Sequence, residues 1–209
     1  MLSDPAFSAM QEAIDDYHTL ASKAVRVLPF AAPHMSWSPD GKQLAYARSV
    51  FARSEIGTMI DSVPGIFDWG GIMILEVESG ETRMLVPHGN DPAWSPDGEL
   101  IAFANKSEPS DRLSEEVWLV PVKGGEPRRL ALGGWPRWGP DSRRIFFHSR
   151  VDGALCRIDV SDPNAKPEVL MPCPDWHPLV SSDGRYVAYQ EGRALRILGL
   201  STRTPVSEQ

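Results

Sequence analysis

Trp37-Ser-Pro-Asp-Gly41 and Trp94-Ser-Pro-Asp-Gly98 are the two clearest copies of a motif that recurs as Trp138-Gly-Pro-Asp-Ser142 and Val180-Ser-Ser-Asp-Gly184. Proline fixes φ at the first turn position, aspartate accepts local backbone N–H bonds and glycine supplies positive φ, so each copy reads as a tight turn between strands. A strand-forming triplet follows at one fixed offset: Leu44-Ala-Tyr46, Ile101-Ala-Phe103, Ile145-Phe-Phe147 and Val187-Ala-Tyr189. The aspartates Asp40, Asp97, Asp141 and Asp183 lie 57, 44 and 42 residues apart, which brackets the length of a four-stranded propeller blade.

Two more extended segments follow each turn: 72–78 then 82–86, 116–122 then 127–131, 154–160 then 167–171, and 193–200 then 203–206. With the strand before the turn this makes four strands per repeat and about 16 in all. The expected fold is all-β, an array of about four four-stranded antiparallel blades preceded by an amphipathic helix. The pattern resembles the WD40-like (PD40) repeat of TolB-type β-propellers over about residues 33–206, most strongly at Trp37 and Trp94. The third copy lacks the glycine, and the fourth lacks both tryptophan and proline. The expected organisation is a helix and connecting arm at 1–30, a propeller-like domain at 31–206 with blades near 33–86, 91–131, 134–171 and 175–206, and a tail at 207–209. The resemblance implies six or more blades, whereas four can be counted here. A compact four-bladed ring and an open array both remain, and segment 24–28 is a candidate to close a ring by adding a strand to the last blade.

The chain has 209 residues, 42% of them hydrophobic and 23% charged, as in ordinary globular domains. Its net charge is −7 and no basic run offsets it, which argues against nucleic acid as a partner. The cysteines, Cys156 and Cys173, are too few for a disulfide scaffold or a thiolate zinc site. The N-terminus lacks a basic and apolar leader pattern, and no window approaches a membrane span, so a cytoplasmic location without membrane insertion is expected, or a periplasmic one if a leader has been removed.

Two segments stand outside the repeat. Residues 4–23 read as a helix with Asp4 as N-cap and Pro5 at its first position, bearing Phe7, Met10, Ile14, Tyr17 and Ala21 on one face. Its opposite face is acidic, which disfavours docking on anionic lipid. The stripe packs on the propeller or serves as a partner-binding arm. The first repeat also holds an insertion, about 49–70, with Phe51, Ile56, Met59, Ile60, Val63, Ile66, Phe67 and Trp69 among few charges. A long loop this apolar is costly to leave in water. It folds over its own propeller or inserts into another protein.

There is no G-x-S-x-G nucleophile elbow, no phosphate-binding glycine loop and no paired-histidine metal motif, so neither an enzyme nor a cofactor is expected. The repeated aspartates are explained as turn formers, and Trp37, Trp94 and Trp138 as packing between blades. Trp69, Trp135 and Trp176 fall outside that register and are candidates for recognition. His88, Asp91, Trp176 and His177 could form a ligand site at the channel mouth, and His34, His88, Asp91 and His177 a composite metal site. The reading that results is a non-catalytic, protein-interaction propeller, an accessory or structural subunit with other protein subunits as partners and a homodimer also open. Its candidate contacts are Phe51, Ile56, Met59, Ile60, Ile66, Phe67, Trp69, Phe7, Met10, Ile14 and Tyr17. The alternative is small-molecule or peptide binding in the channel.

Overall fold

The computed structural model describes residues 34–49, 69–106, 114–172, 179–181, 183–191 and 194–200. The expected helix at 4–23, the closing segment 24–28, the body of the 49–70 insertion, residues 173–178 and the last strand at 203–206 lie outside the described residues. Among the described residues fourteen strands run antiparallel in chain order. The first blade is β1 (Met35–Trp37), β2 (Gln43–Ser49), β3 (Trp69–Glu76) and β4 (Thr82–Val86). The second is β5 (Asn90–Trp94), β6 (Leu100–Lys106), β7 (Glu115–Pro121) and the first half of β8 (Arg128–Trp138). The third takes the second half of β8, then β9 (Arg144–Ser149), β10 (Ala154–Asp159) and β11 (Glu168–Pro172). β12 (Leu179–Val180), β13 (Tyr186–Glu191) and β14 (Ala194–Gly199) belong to a fourth. Among the described residues no helix is long and apolar enough to cross a membrane.

Sequence spacing separates the second blade's last strand from the third blade's first, but β8 is continuous. It pairs with β7 through Arg128–Leu132 and with β9 from Gly133 onward. The glycine pair is what lets one strand turn from sheet to sheet. A Cβ on Gly133 would collide with the carbonyl oxygen of His148, and one on Gly134 with the carboxylate of Glu115.

Each repeated turn is closed by side chains within the motif. Ser38 Oγ donates to Asp40 Oδ1 (2.7 Å) and accepts from the Gln43 amide (2.8 Å), while the Lys42 amide donates to Asp40 Oδ1 (3.1 Å). The second blade repeats this with Ser95, Asp97, Glu99 and Leu100, and the fourth with Ser181, Asp183, Arg185 and Tyr186. In the third, Gly139 replaces the serine, the Arg143 and Arg144 amides still donate to Asp141, and Ser142 takes φ 54° in place of glycine. The aspartates are thus structural, as their turn position implies.

Strand alternation gives each blade two apolar faces. Ala45, Ala47, Ile72, Ile74 and Val86 of the first blade pack on Trp94, Ile101, Phe103 and Val120 of the second. Ala93, Ala102, Val117, Leu119 and Ala131 on the second blade's other face pack on Ile145, Phe147, Ala154, Cys156 and Ile158 of the third, with Trp138 beside them. Phe146 and Leu155 then meet Val187 of the fourth, with Val180 and Tyr189 against them. Burial pushes the Cys156 thiol up to about 11, aided by Asp152, so it is an inert core group.

Two outcomes follow. Phe147→Ala removes a fully buried ring between two blades and should cost roughly 3–5 kcal/mol in urea unfolding; a loss below about 1 kcal/mol would contradict the stacked-blade core. The Ser181 hydroxyl, then the Arg185 amide, hold the Asp183 carboxyl well below its ordinary value. That contribution is present above about pH 4 and disappears as pH falls through the depressed value. In Ser181→Ala, carboxyl titration by NMR should show Asp183 moving up toward the ordinary range.

Candidate functional site

The first strands of successive blades, β1, β5, β8 and β12, adjoin one another. They are the innermost strands, the ones that line the axis in a propeller. Cross-blade bonds fix them: the Trp94 amide donates to Ser36 Oγ (2.9 Å), and Trp138 Nε1 to the Ala93 carbonyl (2.9 Å).

Buried charge gathers on this wall and beside it. His34 Nδ1 sits 2.5 Å from Asp91 Oδ1, and the aspartate is almost fully buried. Asp91 adopts φ 48°, an uncommon conformation that aspartate tolerates better than most residues. Glu115 and Arg150 form a second buried pair, with Arg150 Nε donating to Glu115 Oε2 at 3.0 Å. The Arg150 guanidinium lies 5.0 Å from the Trp135 ring centroid, and Trp135 meets His148 edge to face at 6.3 Å. Arg137 is half-buried, and among the described residues its hydrogen bond goes to the Pro136 carbonyl (2.8 Å).

The hydrogen bond to Asp91 holds the His34 imidazole above its ordinary value, against the opposing effects of burial and Arg137. Burial pushes the Glu115 carboxyl up while Arg150 pulls it down, and burial lowers Arg137 against the attraction of Asp91. Chemically, the described residues of the wall offer paired charges and the Arg137 guanidinium, a set that can hold a polar or anionic group. A cleft of about 330 Å³ on the outer part of the third blade is lined by Lys166 and by groups that pair, Arg157 with Glu168, Arg144 with Asp141 and Asp159 with Arg143.

The second feature is what lies at the two ends of the blade series. The three apolar clusters join four blades, so among the described residues the first blade's outward face and the fourth blade's outward face have no blade against them. Register makes the comparison direct. Trp94 is 7% exposed where the first blade covers it, and its equivalent Trp37 is 56% exposed. Ile72 and Ile74 are 0% and 1% exposed under the second blade, while their equivalents Leu195 and Ile197 on the fourth are 75% and 69% exposed. Met35 and Met84 at one end and Leu179 and Tyr186 at the other are exposed too, although Tyr46 and Leu75 on the first blade's outward face are buried.

Of the residues singled out from sequence, Asp91 is on the inner wall with His34, and His88 is exposed nearby in the chain. Trp176, His177 and the helix residues Phe7, Met10, Ile14 and Tyr17 lie outside the described residues, as do Phe51, Ile56, Met59, Ile60, Ile66 and Phe67; Trp69 enters only as the first residue of β3. Among the described residues no group of three or more His, Cys, Asp or Glu could hold a metal ion, and of the composite set only His34 and Asp91 are brought together. Trp37 departs from the expected packing role because it is the outermost member of its series. Sequence reading missed Glu115, Arg137 and Arg150, which carry no motif. It also missed the motif serine, which was visible in three of the four copies.

The described residues have the fold of TolB-type β-propellers. TolB from Acinetobacter baumannii superposes with TM-score 0.62 at 18% identity, over 85% of this chain and 43% of that one. The β-propeller domain of Myceliophteria thermophila Cps50 (Swd1) gives TM-score 0.58 at 14% identity, over 83% and 53%. In sequence, 120 residues are 30% identical to the "uncharacterized peptidase YuxL" of Bacillus subtilis (strain 168), covering 53% of this chain and 16% of that protein. No family model matches the chain. The chain thus spans a sixth of that curated relative and about half of the propellers it matches.

Removing one member of a buried ion pair strands the other, so Arg150→Leu should cost roughly 3–5 kcal/mol at neutral pH. The loss should shrink below about pH 4, where Glu115 is protonated whether or not the chain is folded; equal losses at both pH values would show that Arg150 acts through packing. Asp91→Asn should bring the His34 pKa, read from imidazole NMR shifts, down toward its ordinary value. Because the pair raises that pKa, its stabilisation is complete below about pH 6.5 and fades as pH rises through the folded-state value.

Proposed function

Starting from a TolB-type fold in which the described residues form four successive blades, we propose that this chain is a non-catalytic protein-interaction module, an accessory or structural part of a larger assembly. The observation that carries the reading is the exposure of large apolar side chains on the first and fourth described blades, Met35, Trp37 and Met84 on one and Leu179, Tyr186, Leu195 and Ile197 on the other. Exposed apolar surface suits protein contacts. The apolar insertion at 49–70 and the amphipathic stripe of residues 4–23 add further contact surface in the same reading. The peptidase-named relative is matched over 16% of its own length, and that match lends the reading no catalytic residue.

A second reading, ligand binding in the channel, draws on the inner wall. Arg137 has unused donors beside the His34–Asp91 pair, and polar groups converging on a propeller axis suit a small acidic ligand or peptide end.

Native mass measurement of the protein from its own cells should give a species heavier than the same polypeptide measured after denaturation. Replacing Phe51, Met59, Phe67 and Trp69 together by serine should weaken that association while circular dichroism stays unchanged. A native mass equal to the single chain would overturn the interaction reading. For the channel reading, a thermal shift with acidic peptides that is lost in Arg137→Gln is expected.

A further inference from the structure

One register position recurs along the inner strands. His34, Asp91 and Trp135 each stand three residues before a motif tryptophan, Trp37, Trp94 and Trp138. In the second and third blades the position is a bulge. Pairing shifts between Asn90 and Ala93 and between Gly134 and Arg137, Asp91 and Trp135 take φ 48° and 51°, and a proline follows each, Pro92 and Pro136. A bulge re-aims the side chain it carries, and a left-handed conformation is unfavourable for a residue as bulky as tryptophan. The re-aimed groups make close contacts: the buried Asp91 carboxylate meets His34 at 2.5 Å, and Trp135 lies against Arg150 and His148.

Five charged groups gather there, and their balance turns on one proton. With the imidazole protonated, His34, Arg137 and Arg150 set three positive charges against two on Asp91 and Glu115, a net of +1; with neutral His34 the net is zero. Asp91 from β5 and Glu115 from β7 favour the charged imidazole and Arg137 from β8 opposes it, while Arg48 on the paired β2 is exposed. The Arg137 guanidinium is half-buried, with Nη1 on the Pro136 carbonyl at 2.8 Å, and its fork geometry matches a carboxylate. We propose that Arg137 and His34 form a proton-linked carboxylate site, in which a ligand carboxylate seats on the Arg137 guanidinium while His34 takes a proton from solvent. This deepens the channel reading and rests on it. The physical link is Coulombic. An anion on Arg137 cancels the repulsion that this guanidinium exerts on the imidazolium and adds an attraction of its own, so the bound ligand and the proton favour each other. A single negative charge is the matched one, because it neutralises the net of +1. The site draws on residues of the first three blades alone, so the number of blades in the ring does not enter.

The test is calorimetric titration of the full chain with N-acetylalanylalanine, its C-terminal amide and acetate. The free acid should bind roughly tenfold more tightly at about pH 5.5 than at about pH 9, the ratio for a one-unit rise of the imidazole pKa on binding. Between those limits, titrations in buffers of different ionisation heat should show proton uptake, and the amide should not bind. Arg137→Gln should abolish binding at both pH values. His34→Gln should keep the parent's high-pH affinity and lose the pH dependence, which a merely structural role would not produce. If His34→Gln does not fold, Asp91→Asn, which leaves the imidazole in place, should move the pH midpoint of binding down. Acetate that binds as tightly as the dipeptide acid supports the site and makes a small carboxylate sufficient; binding of the dipeptide acid alone supports it and makes a peptide C-terminus the ligand. An amide that binds as tightly as the acid would overturn the carboxylate site. Carboxylates that bind through Arg137 equally at both pH values, without proton uptake, would overturn the link to His34 and leave the channel reading standing. If no carboxylate binds the parent at either pH, both fall.

Discussion

A propeller blade is a small sheet with two apolar faces, and neither face can be left in water without cost. Every other feature of this chain follows from the need to cover both. The internal joints solve it by setting small residues against large ones: Ala45 and Ala47 lie opposite Trp94, Ile101 and Phe103, and Ala93 and Ala102 lie opposite Ile145 and Phe147. Small facing large lets the sheets approach closely enough for the interior to reach ordinary packing density. The same requirement makes the ends of the series the chemically conspicuous places on the molecule.

Polar groups are handled locally. Each Ser-x-Asp turn bonds amides of its own within a few residues, and single bonds tie neighbouring blades at their rims, the Asp97 amide donating to Ser142 Oγ and the Arg83 guanidinium to the Val122 carbonyl. Along the inner strands the arrangement differs. There Asp91 meets His34 across blades, and beside them Glu115, at the start of β7, reaches Arg150, just after β9, over thirty-five residues of sequence. Such pairs fix the relative placement of neighbouring blades, since a slip would strand a buried charge. The continuous β8, turning at Gly133 and Gly134, adds a covalent link between the second and third blades.

These constraints connect the fold to the functional reading. A series of interchangeable joints can be extended only by something shaped like a blade face or by a partner with comparable apolar surface. Among the described residues the charges at the inner wall are largely paired, while the first and fourth blades expose large apolar side chains.

The sequence by itself determined the repeat, the turn chemistry and nearly every strand. All three follow from local signals: a Pro-Asp-Gly turn, a β-branched or aromatic triplet and a fixed offset between them. Even weak copies such as Val180-Ser-Ser-Asp-Gly184 fold as the strong ones do, because the serine and aspartate still close the turn. Only the tertiary structure decided which tryptophan is covered. Trp37 and Trp94 sit in identical motifs, yet one is exposed and the other buried, because burial depends on whether a blade stands in front, which no local motif encodes. The inner ion pairs were invisible for the same reason. His34 and Asp91, or Glu115 and Arg150, carry no spacing signal, and they meet only because consecutive blades stand side by side.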